Sequence, residues 1–309
     1  MLRSELEHGV VPWRNAGISG FIVDPDRKKM SKSKGNVVVP TDVLEQFGSD
    51  AVRYWAASAK LGADTAYEVN QMKIGRRLAI KLLNASKFVL NLGVTEASIG
   101  EGSLDRVSNA LDLSLLAQLR AVTEQATAAF EKYDHARALQ LTESFFWTFT
   151  DDYVELVKDR AYGDAEDAAT QSVQTTLATT LDALLRLFAP FLPFATEEVW
   201  SWWRNGSVHH AAWPGADALS ALPGTADTEV LTSVALALGG IRKAKSEAKV
   251  KQRTEVETAV ITASTTQVEQ VRAGLSDLLA AGNAKDLRFA EGDGTLAVSD
   301  VELVPQPAE

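Results

Sequence analysis

The sequence predicts a mainly α protein that opens with loops and short strands and closes on a small α+β module. Three observations carry this expectation. From about residue 71 to 203, apolar residues recur at the three-and-four spacing of amphipathic helices. Residues 214–228, PGADALSALPGTADT, are small, polar or structure-breaking and read as a linker. Beyond them, helical stretches alternate with short β-prone runs.

Taken in order, residues 1–48 read as loops and short strands. ISGFIV is expected to be a buried strand, ended by the DPD turn. After a Lys-rich segment, Pro40-Thr41-Asp42 opens a short helix, with Asp42 and Glu45 at capping-box spacing and Gly48 as the stop. Ser49 starts the next helix. Ile74, Leu78, Leu82, Ala85 and Val89 share one face of a long helix. Leu115, Leu119, Val122, Ala126, Ala129 and Tyr133 mark a second. Phe146, Phe149, Tyr153 and Leu156 line a third, and Val173, Leu177, Leu181, Leu184 and Phe188 a fourth. Four such helices with short connections make a bundle. Pro190 and Pro193 break the last one, and a short helix follows at ATEEVWSWW. After the linker come a helix over 229–250, the strand VETAVITA, a helix over 266–281, and the strands DLRFA and TLAVSDVELV about an EGDG turn.

The 309 residues are 46% hydrophobic and 23% charged, the composition of an ordinary globular protein. No apolar run reaches the roughly 18 residues of a membrane span, and the first residues carry acidic groups where a secretion signal would be apolar. A cytoplasmic location is expected. With no cysteine, disulfides and thiolate zinc sites are excluded, and His8, His135, His209 and His210 lack metal-ligand spacing.

The net charge of −10 is unevenly spread. Residues 1–90 carry 14 basic and 9 acidic groups, whereas 91–309 carry 17 basic and 32 acidic. Within the acidic part, Arg242–Arg253 (RKAKSEAKVKQR) holds six basic groups and one acidic. Basic islands on an acidic body suit a protein that meets a polyanion at chosen places; solvated helix faces would produce the same pattern.

The segment richest in chemistry is Lys29-Met30-Ser31-Lys32-Ser33-Lys34-Gly35-Asn36. Three closely spaced lysines, two hydroxyls and a glycine make a bendable cationic loop. Such a loop suits an anion whose charge grows during a reaction, because an ammonium on a flexible stem follows that charge. A basic surface turn or a modification sequence would contain similar residues.

KMSKSKGN as a whole resembles the signature loop of class I aminoacyl-tRNA synthetases, and the following VVVPTDVLEQFGSDAVRYWAAS resembles the same family's next segment. NQMKIGRRLAIKLLNASKFVLNLG, FFWTFTDDYVELVKDRAYG and PFLPFATEEVWSWW look like the valyl members, and IRKAKSEAKVKQRTEV resembles their C-terminal extension. The resemblance covers essentially the whole chain. The isoleucyl and leucyl enzymes share the loop and the helices, and are the nearest alternatives.

What the resemblance implies is the end of a class I nucleotide-binding (Rossmann-like) catalytic domain with its KMSKS loop in residues 1–48. A connecting, stem-contact-like helical segment would occupy 49–70, and a helical anticodon-binding domain 71–213. The linker would be 214–228 and the α+β module 229–309. The implied reaction joins L-valine to tRNA(Val) with ATP and Mg²⁺, through valyl-adenylate and pyrophosphate. By family match, Lys32 meets the ATP phosphates, Lys29 supports it, and Met30, Ser31, Ser33 and Gly35 complete the ATP-binding loop. Arg76, Arg77, Lys81, Asn84 and Lys87, with Arg242, Lys243, Lys245 and Lys249 of the basic island, are the candidate tRNA-binding residues. For the basic island, a phosphate contact and a solvated helix face stand as equal readings. Trp147, Phe149 and Trp200 read as core, and Asp151-Asp152 as solvated or ion-paired.

Departures from the pattern bear on activity. His8-Gly9-Val10-Val11 is not the HIGH-type motif that class I enzymes use, and no amino-acid pocket or editing domain is recognisable. The long C-terminal coiled-coil arm of many valyl enzymes is missing as well. The chain is therefore expected to be inactive alone, with an N-terminal half as a further partner. A free-standing tRNA-binding module is the alternative.

Overall fold

The computed structural model describes residues 1–100, 102–215 and 226–304. Most of the predicted linker, residues 216–225, lies outside the described residues. The architecture is mainly helical, with a three-stranded sheet near the C-terminus. No helix among the described residues is long and apolar enough to cross a membrane.

The first region holds a short helix α1 (Leu2–His8) and a two-residue strand β1 (Ile22–Val23). β1 pairs in parallel with β2 (Thr65–Ala66) over two residues, with only isolated bridges, Ser19 to Leu61 and Val23 to Lys29, beside it. The expected buried strand is thus only partly realised. Val23 is buried, but Ile18, Phe21 and Ile22 are exposed, because β2 gives β1 a single short neighbour. Helix α2 (Pro40–Phe47) begins one turn before the expected capping box. Pro40 takes the first helical position, where its fixed φ and missing N–H cost nothing, and Val39 becomes the N-cap without a side-chain bond. Asp42 then sits within the first turn, where the helix dipole favours an acid. Gly48 ends α2 at φ 86° and leads into α3 (Ser49–Ala57).

The body is built on α4 (Val69–Asn91), α5 (Ala110–Glu131), α6 (His135–Trp147), α7 (Val154–Ala161), α8 (Ala168–Phe188) and α9 (Pro193–Ser201). Asn109 caps α5 by accepting from the Leu111 N–H at 2.9 Å. The predicted third helix is two helices joined by a π-helical turn, Thr148–Tyr153. The wider turn keeps Phe146, Phe149 and Tyr153 all fully buried, with the last two rings stacked at 6.3 Å. Gly75 lets α4 meet α3 closely, since a Cβ there would lie 2.6 Å from that of Tyr54.

Beyond α10 (Glu229–Glu247), β3 (Val256–Ala263) is central in a sheet of order β4-β3-β5. The helical crossover α11 (Thr265–Ala273) and α12 (Leu275–Gly282) carries the chain to β4 (Ala284–Glu291), parallel to β3. β5 (Ala297–Leu303) returns antiparallel. The sequence suggested one helix for α11 and α12. The break falls at Gly274, where a Cβ would approach Val234 and Leu111 to about 3 Å. One continuous apolar core runs from Tyr54 through the bundle to Leu287, so the helical body and the α+β module share it. A small second cluster gathers Val43, Phe47, Ala51, Trp55 and Met72.

A buried polar cluster sits where the body meets the module. Arg160 of α7 donates to Asp112 of α5 (2.8 Å to each carboxylate oxygen) and to Asp277 of α12 (3.0 Å to each). Tyr153 and Ser172 also donate to Asp112, at 2.7 and 2.6 Å. Burial pushes the Asp277 carboxyl up, while Arg160 pulls it back.

Candidate functional site

The Lys-rich loop grows out of a tight turn at the end of β1. Arg27 adopts φ 61°, its N–H reaches the Asp24 carbonyl at 2.8 Å, and a bridge pairs Val23 with Lys29. Lys32–Lys34 form one 3-10 turn, ended by Gly35 at φ 67°, the left-handed conformation that glycine adopts without strain. Ser31 and Ser33 hydroxyls lie 3.3 Å apart across the turn.

Two residues without a role in the sequence reading close the base of this loop. Asn36 accepts from the Ser31 N–H (2.9 Å) and donates to Asp24 Oδ2 (2.8 Å) and to the Lys29 carbonyl (3.3 Å). Asp24 also accepts from the Lys28 N–H at 2.7 Å. The Asn36 amide, followed by the Lys28 N–H, holds the Asp24 carboxyl below the usual carboxylate range. The available signal was chain position: Asp24 opens the DPD turn and Asn36 ends KMSKSKGN.

Within this frame Lys29, Lys32, Ser33, Lys34 and Gly35 are exposed, and Met30 and Ser31 are half-buried. Lys29 Nζ stands 5.7 Å from the centre of the Phe21 ring. Among the described residues, neither Lys32 nor Lys34 is paired with a carboxylate. The loop therefore offers free ammonium groups to an anion such as a polyphosphate. A metal is a different matter: among the described residues no three His, Asp or Glu side chains stand close enough to hold one. Asp24, at the base of the loop, is already bonded by Asn36 and the Lys28 N–H.

The second set of predicted residues lies along α4. Arg77, Asn84 and Lys87 are exposed, and Lys73 and Ile80 extend the same stripe at helical spacing. Arg76 bonds the Gln46 carbonyl at 2.6 Å, and Lys81 pairs with Asp151 at 2.9 Å. A shallow groove of about 630 Å³ runs beside Lys73, Arg77 and Ile80. Lys87 Nζ sits 5.8 Å from the centre of the Trp202 ring, and Tyr162 meets Phe88 edge-on at 6.0 Å. Trp202 and Tyr162 are exposed aromatics beside this basic stripe. Sequence reasoning missed them because periodicity ranks core positions and is silent on isolated exposed rings. Phe149 and Trp200 are buried, and Trp147 is partly buried against the core.

The third set, at the end of α10, is divided. Lys243 and Lys249 are exposed, and Arg242 reaches Glu155 at 3.5 Å. Lys245 is corrected by the structure: it is 1% exposed and donates to the carbonyls of Gly282 (2.6 Å) and Gln252 (3.0 Å). Its charge serves those buried carbonyls and faces no external phosphate. Burial, with Arg242 nearby, lowers its pKa.

Two family models match the chain. Residues 1–68 match tRNA synthetases class I (I, L, M and V), and residues 112–261 match the anticodon-binding domain of tRNA ligase. The valine–tRNA ligase of Leifsonia xyli subsp. xyli is 54% identical over 100% of this chain and 35% of its own length. That of Thermobifida fusca is 53% identical over 99% of this chain and 34% of its own. That of Salinispora tropica is 46% identical over 96% and 36%. The chain thus spans about a third of the length of the curated relatives it matches. Among solved structures, a ternary LeuRS–tRNA–LeuAMS complex of Agrobacterium radiobacter K84 aligns with TM-score 0.53 over 91% of this chain and 32% of that one. At 19% identity this is a likeness of fold.

Proposed function

The chain belongs to the class I tRNA synthetases of the isoleucine, leucine, methionine and valine group, and we propose that it acts as part of a valine–tRNA ligase. In this reading it supplies the KMSKS loop and the tRNA-binding helices in the cytoplasm, while residues outside it supply the valine pocket and the remaining ATP contacts. The complete enzyme joins L-valine to tRNA(Val) with ATP, releasing AMP and diphosphate. Residues 1–48 close the catalytic domain, 49–70 connect it to the helical anticodon-binding body over 71–213, and 229–309 form the α+β module after the 214–228 linker.

The observation that carries the proposal is the loop itself: free lysines projecting from a backbone clamped by Asp24 and Asn36. When valine attacks the α-phosphate of ATP, negative charge accumulates on the departing diphosphate. Lys32 neutralises that charge and Lys29 supports it, while Met30, Ser31, Ser33 and Gly35 shape the loop around the phosphates. An interaction that strengthens as charge develops lowers the barrier more than it tightens ground-state binding. Mg²⁺ would shield the phosphates when bound, and its ligands would come from ATP and from outside this chain. The exposed apolar residues Ile18, Phe21 and Ile22 suit packing against the rest of a catalytic domain.

For tRNA, the α4 stripe of Arg77, Asn84 and Lys87 beside Trp202 and Tyr162 combines phosphate-seeking charge with stacking surfaces. Arg76 and Lys81 hold the helix in place and border that stripe. The test is binding of the chain to a panel of purified tRNAs, including anticodon-swapped valine tRNA, at two salt concentrations. Preference for valine tRNA that follows the anticodon is expected. Equal binding to every tRNA would overturn the assignment.

A further inference from the structure

Helix α3 holds two parts of the molecule at once. Its Ala51 and Trp55 join the small apolar cluster of Val43, Phe47 and Met72, and the Trp55 indole N–H donates to the Ala66 carbonyl of β2 at 3.1 Å. These contacts secure the segment that carries the Lys-rich loop, because β2 pairs with β1 and α2 follows the loop in the chain. Other residues of α3 meet the helical body. Tyr54 belongs to the main core, and its hydroxyl donates to Glu143 of α6 at 2.7 Å. Asp50 and Arg53, one turn apart, reach the corner between α8 and α9.

That corner leaves a few backbone groups in need of partners, and α3 supplies them. Leu192, the N-cap of α9, makes no side-chain bond, and its own N–H donates to the Phe188 carbonyl at 2.8 Å. Pro193 has no N–H, and Thr196 donates to the Leu192 carbonyl at 3.1 Å. The first turn of α9 is left with the N–H groups of Phe194 and Ala195, and Asp50 accepts both, at 3.1 and 2.8 Å. Arg53 donates to the Pro190 carbonyl, just past the end of α8, at 2.8 Å. Each charge stands at the helix pole that favours it, the acid at the start of α9 and the base at the end of α8. A cap usually comes from its own helix; this one comes from 144 residues away. Apolar contact is non-directional, and two separate apolar clusters meet at this junction, so packing alone would let the loop segment and the body turn against each other. Hydrogen bonds to fixed backbone groups set an angle. We infer that Asp50 and Arg53 are positioning residues, which hold the tRNA-binding body at the angle from which a bound tRNA brings its acceptor end to the site beside the Lys-rich loop. The inference rests on the valine–tRNA ligase reading above.

The test uses the complete enzyme and separates its two half-reactions. Valyl-adenylate formation, followed by pyrophosphate exchange, does not depend on where the body holds a tRNA; transfer to the tRNA does. The double change Asp50→Ala with Arg53→Met should lower kcat for charging valine tRNA by about ten- to a hundredfold, the cost of a misplaced reactant, and leave pyrophosphate exchange within about twofold. Asp50→Asn keeps a good capping acceptor for α9 and should recover most of the charging rate. Asn109→Ala removes a cap of the same kind from α5 without touching α3, and should leave the ratio of the two rates as in the parent. If the double variant does not fold, Asp50→Ala and Arg53→Met taken singly should each skew the ratio in the same direction. An equal loss in both half-reactions, an unchanged charging rate, or the same skew in Asn109→Ala overturns the inference. The parent enzyme separates the two levels. A parent that does not activate valine would overturn the valine–tRNA ligase reading, and this inference with it. Normal parent rates with no split in the variants would overturn the positioning role alone.

Discussion

Arginine 160 and lysine 32 are both cations at the centre of a site, and the protein treats them in opposite ways. Arg160 is buried, and each side of its guanidinium is matched to a carboxylate from a different helix. Lys32 projects from a one-turn helix and, among the described residues, pairs with no carboxylate. Pairing spends the first charge on holding helices together, whereas leaving the second unpaired keeps it available for a ligand. The surroundings follow the same division. Around Arg160 the core is continuous, while around the loop only Val23 and Asp24 are buried and the support is a handful of polar bonds.

The largest effect that could break this contrast is at Arg160. Arg160→Met should destabilise the chain by about 3–5 kcal/mol, because Asp112 and Asp277 would stay buried without a counter-charge. Urea denaturation measures it, and a loss below about 1 kcal/mol, the value of a surface pair, would mean that the cluster is dispensable. Arg160→Lys should recover only part of the loss, since one ammonium cannot serve both carboxylates in fork geometry.

At Lys32 the effect should be comparable in rate and absent in stability. Lys32→Ala in a complete enzyme should slow valine activation on the order of 10²-fold, as for loss of one key electrostatic donor. Its denaturation midpoint should match that of the parent. An unchanged pyrophosphate-exchange rate would remove Lys32 from the proposed mechanism.

The clamp below the loop should give a smaller effect of intermediate kind. Asn36→Ala removes bonds to Ser31, Asp24 and Lys29 and should slow activation by about 5–10-fold through a looser loop. The pH dependence has a definite sign. Asp24 is held below its ordinary value, so the folded loop benefits from the ionised carboxylate at neutral pH and down through that ordinary value. The benefit is lost only as the pH falls through the lowered value. Amide exchange at Ser31 should accordingly show no loosening between pH 7 and pH 5, and a loosening there would assign the clamp to another group.

What could be read from the sequence divides along the same line. The long helices were legible because Leu78, Leu82, Leu115, Leu181 and Leu184 obey a local period that burial enforces. The π-turn was not, since Phe146, Phe149 and Tyr153 fit an α-helical spacing closely enough to hide one wider turn. In the loop the lysines were legible as chemistry. Their holder, Asp24, was not, because its partner Asn36 stands twelve residues on and only the folded turn brings them together.

The smallest effect bears on the basic island, where neighbouring lysines answer the contrast in opposite ways. Lys243 is exposed and only loosely paired, with Glu247 at 3.9 Å, whereas Lys245 is buried on two carbonyls. Lys245→Met should lower stability by about 1–3 kcal/mol, because those acceptors would lose their donor. Lys243→Gln should leave stability unchanged. If this end of α10 touches the tRNA backbone, the same change should reduce the slope of log affinity against log salt by about 0.7–0.9, the share of one phosphate contact. A slope that does not move while the α4 variant Arg77→Gln moves it would confine tRNA contact to α4. The basic run at 242–253 would then be a solvated face whose one buried member, Lys245, holds the module together.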